Sequence, residues 1–368
     1  MTNETMNAPY EQQQTFDSNG FQIRPSVVKP PKKRRAGRFV RNLIIYIIIF
    51  CLGFASGYMY DKSEDKNGPD VSSASSSQEQ TEGSDASEQT PSKEPKKTVS
   101  KEGEMLNKLK NDLITVVKTK HPSVDLSFAI KNLDTGEYVE YDNKMMNSAS
   151  IIKLFILETV YKSVADGTYV LTPEKEKELE LMITESKNTA ANMFIDDFGG
   201  QNEKRKVEET NKINVTIARS GYKNTELNRK MHDTTPPEGP SGYQNYSSVA
   251  DVTKFLEGIY DKSLLGEPYS TRAMEYLKSQ TRRGKIPAKI QTQYPGVVVA
   301  NKTGELSQVE NDAAIIIGPD FNIVFVVMID QIPLMAGGAT DYGLKQKVQE
   351  TISELGLRVV EFYTNNKF

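Results

Sequence analysis

The chain has 368 residues, a formal net charge of −3, one cysteine and two histidines. So small a charge gives no electrostatic reason to expect a nucleic-acid partner, and a lone cysteine excludes an internal disulfide and a thiolate metal site. Two imidazoles, His121 after a helix and His232 in a Pro-rich stretch, both read as surface loop residues. They leave little for a histidine-based zinc site or a Ser-His-Asp triad, so no metal or other cofactor is expected and a base would have to be lysine.

Residues 42–60 carry no charge and are almost wholly apolar (Leu43-Ile44-Ile45-Tyr46-Ile47-Ile48-Ile49-Phe50). At about 1.5 Å per residue a helix here just crosses a hydrocarbon core of about 30 Å. Lys29, Lys32, Lys33, Arg34, Arg35, Arg38 and Arg41 precede it, and Asp61, Glu64 and Asp65 follow. The positive-inside rule then predicts a cytoplasmic basic tail over 1–41, one transmembrane helix over 42–60, and an extracellular remainder held at the cell membrane. The leader is too long for an ordinary cleaved signal, and a core helix is rarely flanked by so many cations. Cys51 lies inside this span and reads as a small apolar filler. Residues 61–100 are rich in Ser, Glu, Gln, Lys and Asp. With too few apolar side chains to offset the entropy of ordering, they read as a disordered spacer with a reach on the order of 35 Å.

Residues 101–368 suffice for one large, two-lobed unit. Met105, Leu106, Leu109, Leu113, Val116 and Val117 recur at helical spacing over 102–118. Residues 124–130 and 138–141, around Asp134-Thr135-Gly136, read as a hairpin. The run 151–165 is apolar almost all round, which predicts a buried helix, and 174–193 is a second helical region. Pro236, Pro237, Gly239, Pro240 and Gly242 make 219–247 loop-like, and Ser248 with Asp251 has capping-box spacing for a helix through 260. Strands follow at 297–302, 313–317 and 322–329, then an amphipathic helix over 342–363. This order predicts an α/β sandwich, its mainly antiparallel sheet covered by the terminal helices, with a helical lobe in between.

Three short motifs carry the chemistry. Ser150-Ile151-Ile152-Lys153 places a hydroxyl and an amine one turn apart on one helix face. Ser186-Lys187-Asn188 can bring a second hydroxyl and an amide to the same cleft, and Lys302-Thr303-Gly304 a cation and a hydroxyl along a strand edge. Together they supply what is needed to attack an amide, move its proton and hold a carboxylate. Lys153 lies in an apolar run, where a lysine with no task would be costly.

From about residue 148 onward the chain resembles the class A β-lactamases and penicillin-binding serine hydrolases. The likeness extends to Glu185-Ser186-Lys187-Asn188-Thr189-Ala190-Ala191-Asn192 and to Val299-Ala300-Asn301-Lys302-Thr303-Gly304-Glu305-Leu306, followed by Asn311-Asp312-Ala313-Ala314. The resemblance implies a β-lactamase-like fold with Ser150 as nucleophile, Lys153 as base and Ser186 as proton relay. Asn188 would meet the substrate amide, and Lys302 and Thr303 its carboxylate. Gly304 would let substrate approach the strand closely, and Ser150 and Glu305 would give the oxyanion-hole N–H groups.

Two departures matter. The family has Asp where this chain has Lys187. Class A β-lactamases also carry E-x-x-L-N, whose glutamate activates the water that clears the acyl-enzyme, and this chain reads Asn224-Thr225-Glu226-Leu227-Asn228. Aligned on Leu227-Asn228, the glutamate position is Asn224, which cannot be a general base; Glu226 could serve only after a local shift. Acylation is therefore expected and rapid deacylation is not. The family's substrates are β-lactams and acyl-D-Ala-D-Ala peptides. A membrane-anchored bacterial β-lactam hydrolase leads, with a DD-peptidase acting on the cell wall, or a non-turnover sensor or scaffold in an antibiotic response, as alternatives.

Overall fold

Ile323-Val324-Phe325-Val326-Val327-Met328-Ile329 is an unbroken apolar run, and every one of its side chains is buried. A strand apolar on both faces needs cover on both. In the computed structural model it forms β7 (Asn322–Asp330), the centre of a sheet ordered β2-β1-β7-β6-β5. The other strands are β1 (Asp125–Asn132), β2 (Tyr138–Tyr141), β5 (Val298–Leu306) and β6 (Val309–Ile317), and every pairing is antiparallel. Ile323, Phe325, Val327 and Ile329 join one core with the terminal helices α1 (Lys101–Lys120) and α9 (Tyr342–Asn365). Val324, Val326 and Met328 face the second core, beneath the helical lobe. The alternation is the period-2 pleat, and each large apolar side chain so buried contributes about 1.5–3 kcal/mol relative to exposure.

The lobe contains α2 (Lys153–Ala165), α3 (Pro173–Thr184), α4 (Asn188–Asp197), α5 (Lys212–Arg219), α6 (Val249–Tyr260) and α7 (Tyr269–Lys278). A short α8 (Ile286–Gln293) packs on α9. Their starts follow local chemistry: Ser100, Thr172 and Asp341 each accept a backbone N–H at a helix N-terminus, and Pro173 occupies the first turn of α3, where no N–H is missed. β3 (Met146–Asn147) and β4 (Tyr246–Ser247) form a separate two-stranded ribbon.

The sandwich and its helical lobe thus have the layers expected from the sequence. The structure describes residues 100–199, 211–231 and 244–368; the basic tail, the 42–60 segment, the spacer up to residue 99 and His232 lie outside them. The single-pass localisation is corrected. Among the described residues no helix is long and apolar enough to cross a membrane, and a relative reported below is described as a putative lipoprotein. His121 is also corrected: it is only 5% exposed, because its Nε2 meets Thr351 Oγ1 of α9 at 2.9 Å. Burial, then neighbouring Lys120, holds its pKa below the ordinary histidine value.

Candidate active site

Ser150 sits in a single 3-10 turn, Ala149–Ile152, that runs directly into α2. Ala149 before it has φ +47°, and Ser186, between α3 and α4, has φ +61°. Non-glycine residues in this region cost about 1–3 kcal/mol each and tend to mark functional sites. The segment ahead of Ser150 is tied to the sheet by Asn311, whose Nδ2 donates to the Asn147 carbonyl at 2.8 Å and the Ser148 carbonyl at 3.2 Å.

Lys153 is fully buried, one turn beyond Ser150. Its Nζ lies 3.1 Å from Ser150 Oγ, 2.6 Å from the Ser186 carbonyl, 3.3 Å from Ser186 Oγ and 2.7 Å from Asn188 Oδ1. Lys302, also fully buried, donates to Ser186 Oγ at 3.0 Å and to the Thr303 carbonyl at 2.8 Å. Two amines therefore converge on one hydroxyl. Burial, then repulsion from Lys153 and Arg282, holds the Lys302 amine well below the ordinary lysine range. Lys187, the departure within this motif, turns outward to Glu178 at 2.8 Å and leaves the turn's outer residues in place.

β5 is the edge strand beside the serine turn. Lys302 and Thr303 lie behind the wall of the cavity at Ser150, while Glu305 and Leu306 line it. Glu305 is held by Arg282 at 3.0 Å and Lys285 at 3.2 Å. A Cβ on Gly304 would lie 2.6 Å from the Ser148 carbonyl and 3.3 Å from Ala149 Cβ. The room that glycine provides is thus taken by the serine turn itself, where substrate was expected. Gly304→Ala should cost about 1–3 kcal/mol by overpacking; an unchanged melting temperature would contradict this. Behind Lys302, Asp312 accepts from Asn301 Nδ2 at 2.9 Å and from the Ile286 N–H at 3.0 Å. Burial pushes its carboxyl up to about 6, against the pull of Lys285 and these hydrogen bonds.

The loop expected to carry the deacylation machinery is arranged differently. Asp251 does not close a capping box. Its carboxylate accepts from the N–H groups of Lys223 (3.1 Å) and Asn224 (2.8 Å) and from Thr225 Oγ1 (2.8 Å), which draws 223–225 towards α6. The Glu226 backbone pairs with Tyr246, and Asn228, 4% exposed, donates to Glu226 Oε2 at 3.1 Å and the Gln244 carbonyl at 3.0 Å. None of Asn224, Glu226 and Asn228 lines the cavity of about 170 Å³ that holds Ser150 and Asn188. Met231 does, with Arg229, Gln244 and Asn245. Asn192, on α4, clamps Met231 at both backbone groups: Nδ2 donates to its carbonyl at 2.8 Å, and its N–H donates to Oδ1 at 2.7 Å. Sequence reasoning missed Met231 and Arg229. The signal available was Asn192, the last residue of the Glu185–Asn192 run, whose spare amide needs a backbone partner.

With this geometry in hand, comparison with known proteins gives three results. A family model described as "Beta-lactamase enzyme family" matches residues 108–176 and 175–363. A Mycobacterium bovis protein described as "Putative lipoprotein LppW" is 27% identical over 139 residues, 38% of this chain and 38% of that protein. The match thus spans little more than a third of the length of the curated relatives. Among solved structures, a β-lactamase from Sphaerobacter thermophilus aligns with a TM-score of 0.56 at 20% identity, over 68% of this chain and 97% of the other. A mutant of PBP-A, solved as an acyl-enzyme complex with penicillin G, aligns with a TM-score of 0.57 at 22% identity, over 71% and 98%. At such identities these likenesses show the fold alone.

Proposed function

Because this chain belongs to the beta-lactamase enzyme family, we propose that it is a serine hydrolase that is acylated at Ser150 by β-lactams and releases the acyl group slowly. The observation that carries the reading is Lys153 Nζ, buried and 3.1 Å from Ser150 Oγ. A neutral amine has two N–H bonds and one lone pair. The same nitrogen also meets the Ser186 carbonyl and Asn188 Oδ1, and as a neutral amine it would offer its lone pair to the Ser150 hydroxyl proton. Two ammonium groups on the single Ser186 hydroxyl repel, and burial adds a desolvation penalty, so the lysine pair favours holding one proton fewer.

Ser150 Oγ attacks the amide carbonyl carbon as its proton passes to Lys153 Nζ. The carbonyl oxygen becomes an oxyanion facing the N–H groups of Ser150 and Glu305. On collapse the C–N bond breaks, and the Ser186 hydroxyl delivers its proton to the leaving nitrogen while taking one back from the lysine pair. Lys302 and Thr303 attract the substrate's carboxylate, and Asn188 meets its amide.

Hydrolysis of the ester then needs an activated water, and of the described residues of the loop Arg229 and Met231 line the cavity. Neither a guanidinium cation nor a thioether can take a proton from water. This favours a long-lived acyl-enzyme, and it suits the second reading, a penicillin-binding DD-peptidase acting on acyl-D-Ala-D-Ala stem peptides. Incubation with penicillin G followed by peptide mapping tests the nucleophile. The adduct is expected on the peptide containing Ser150 and absent from Ser150→Ala; an adduct on another residue would overturn the assignment.

A further inference from the structure

Arg229 is a half-buried cation on the wall of the Ser150 cavity, and no carboxylate partners it among the described residues. The only carboxylate among the described residues lining that cavity, Glu305, is engaged by Arg282 and Lys285. A guanidinium has five N–H donors. Nε and Nη2 of Arg229 both donate to Gln244 Oε1, at 3.3 and 2.8 Å, and Nη1 reaches the Lys230 carbonyl at 3.4 Å. These three bonds go to neutral oxygens and leave two donors over. Desolvation acts on the guanidinium and lowers its pKa, a cost that an anionic partner would offset.

The group is also held in place. Asn245 Oδ1 accepts the Arg229 N–H at 2.9 Å, and Asn245 Nδ2 donates to the Arg229 carbonyl at 3.0 Å. An aspartate at 245 could accept the first bond and neutralise the arginine, but it could not make the second. The amide therefore fixes the backbone and leaves the charge unopposed.

Resting on the acylation reading above, we infer that Arg229 forms an anion subsite for the acyl half of the substrate, and that the preferred acyl donors carry a carboxylate there. Lys302 and Thr303, on β5, serve the carboxylate on the leaving-group side. Arg229 belongs to a different wall, built by 229–231 and 244–245, so it reaches the other half of the molecule. The favoured substrates are dianionic: a β-lactam or a peptide with one carboxylate on each side of the scissile amide.

Penicillin G and carbenicillin, which differ by a carboxylate on the acyl side chain, test this directly. Binding is measured by calorimetry on Ser150→Ala, where no covalent step intervenes. Carbenicillin is expected to bind about tenfold tighter, the lower range for a charge-assisted hydrogen bond. Ser150→Ala/Arg229→Gln should lose that ratio, and Ser150→Ala/Arg229→Lys should keep part of it by charge without the fork. Equal or weaker binding of carbenicillin, no saturable binding of it, or a ratio that survives Arg229→Gln overturns the subsite. Absence of any adduct on the wild-type protein would count against acylation at Ser150 instead, since the binding ratio is read without it.

Discussion

Lys153→Ala is expected to slow acylation of Ser150 by about 10²–10⁴-fold, the usual loss when a general base is removed. The amine is the one basic group within hydrogen-bond reach of Ser150 Oγ among the described contacts of that hydroxyl, and Ser186 Oγ lies 3.3 Å from the same nitrogen. The loss should appear in the acylation step and not in folding. Lys153 is flanked by Ile151, Ile152, Leu154 and Phe155, all buried, and these hold α2 against the lobe core without it. Removing the amine takes that donor from the Ser186 carbonyl and Asn188 Oδ1 and leaves a cavity, so the melting temperature should fall by several degrees while the fold is retained. Stopped-flow labelling with a chromogenic β-lactam reads the rate. A loss below about tenfold with the fold intact would mean that another group accepts the proton.

The second large effect is a gain. Met231→Glu is expected to shorten the life of the acyl-enzyme by up to about 10²–10⁴-fold, the range for a positioned general base. Glutamate and methionine are both unbranched and close in length, so the carboxylate should occupy the thioether's place. Asn192 grips the backbone of residue 231 at both its N–H and its carbonyl, which fixes where that side chain emerges. Arg229, on the same cavity wall, would favour the ionised form but also compete for it, which is why the gain is given as an upper range. Met231→Gln, which cannot take a proton, is the control and should leave the lifetime unchanged. Asn224→Glu should also leave it unchanged, because Asn224 is drawn to Asp251 and away from the cavity. Acceleration by Asn224→Glu but not by Met231→Glu would return the base position to residue 224.

The strands and the three motifs were legible because each rests on a short-range rule. Alternation marks β1 and an unbroken apolar run marks β7, and Ser150 and Lys153 need only one helical turn to meet. β5 and β6 run longer than expected, Val298–Leu306 and Val309–Ile317, because Lys302, Thr303, Glu305, Glu310 and Asp312 interrupt the apolar pattern. Those polar groups are paired inside the structure: Lys285 meets Glu310 at 2.6 Å, and Asp312 meets Asn301. Local pattern does not register such long-range pairing.

The loop failed for a similar reason. Leu227-Asn228 matches the family's motif letter for letter, but position in that loop is set by distant partners. Asp251 holds 223–225, Asn245 holds 228–229, and Asn192 holds 231. Of the described residues of this loop, Arg229 and Met231 line the cavity at Ser150, and Asn224 does not. His121 illustrates the same limit: after a helix it looks exposed, and only the return of α9 buries it.

Acylation at Ser150 followed by slow release is tested most directly by the intact mass of the wild-type protein, followed through time after a brief pulse of penicillin G and removal of free drug. A single adduct should form and persist for many minutes, and Ser150→Ala should show none. An adduct that disappears within seconds, with penicilloate accumulating catalytically, would contradict slow release, and an adduct of undiminished yield on Ser150→Ala would contradict the nucleophile itself.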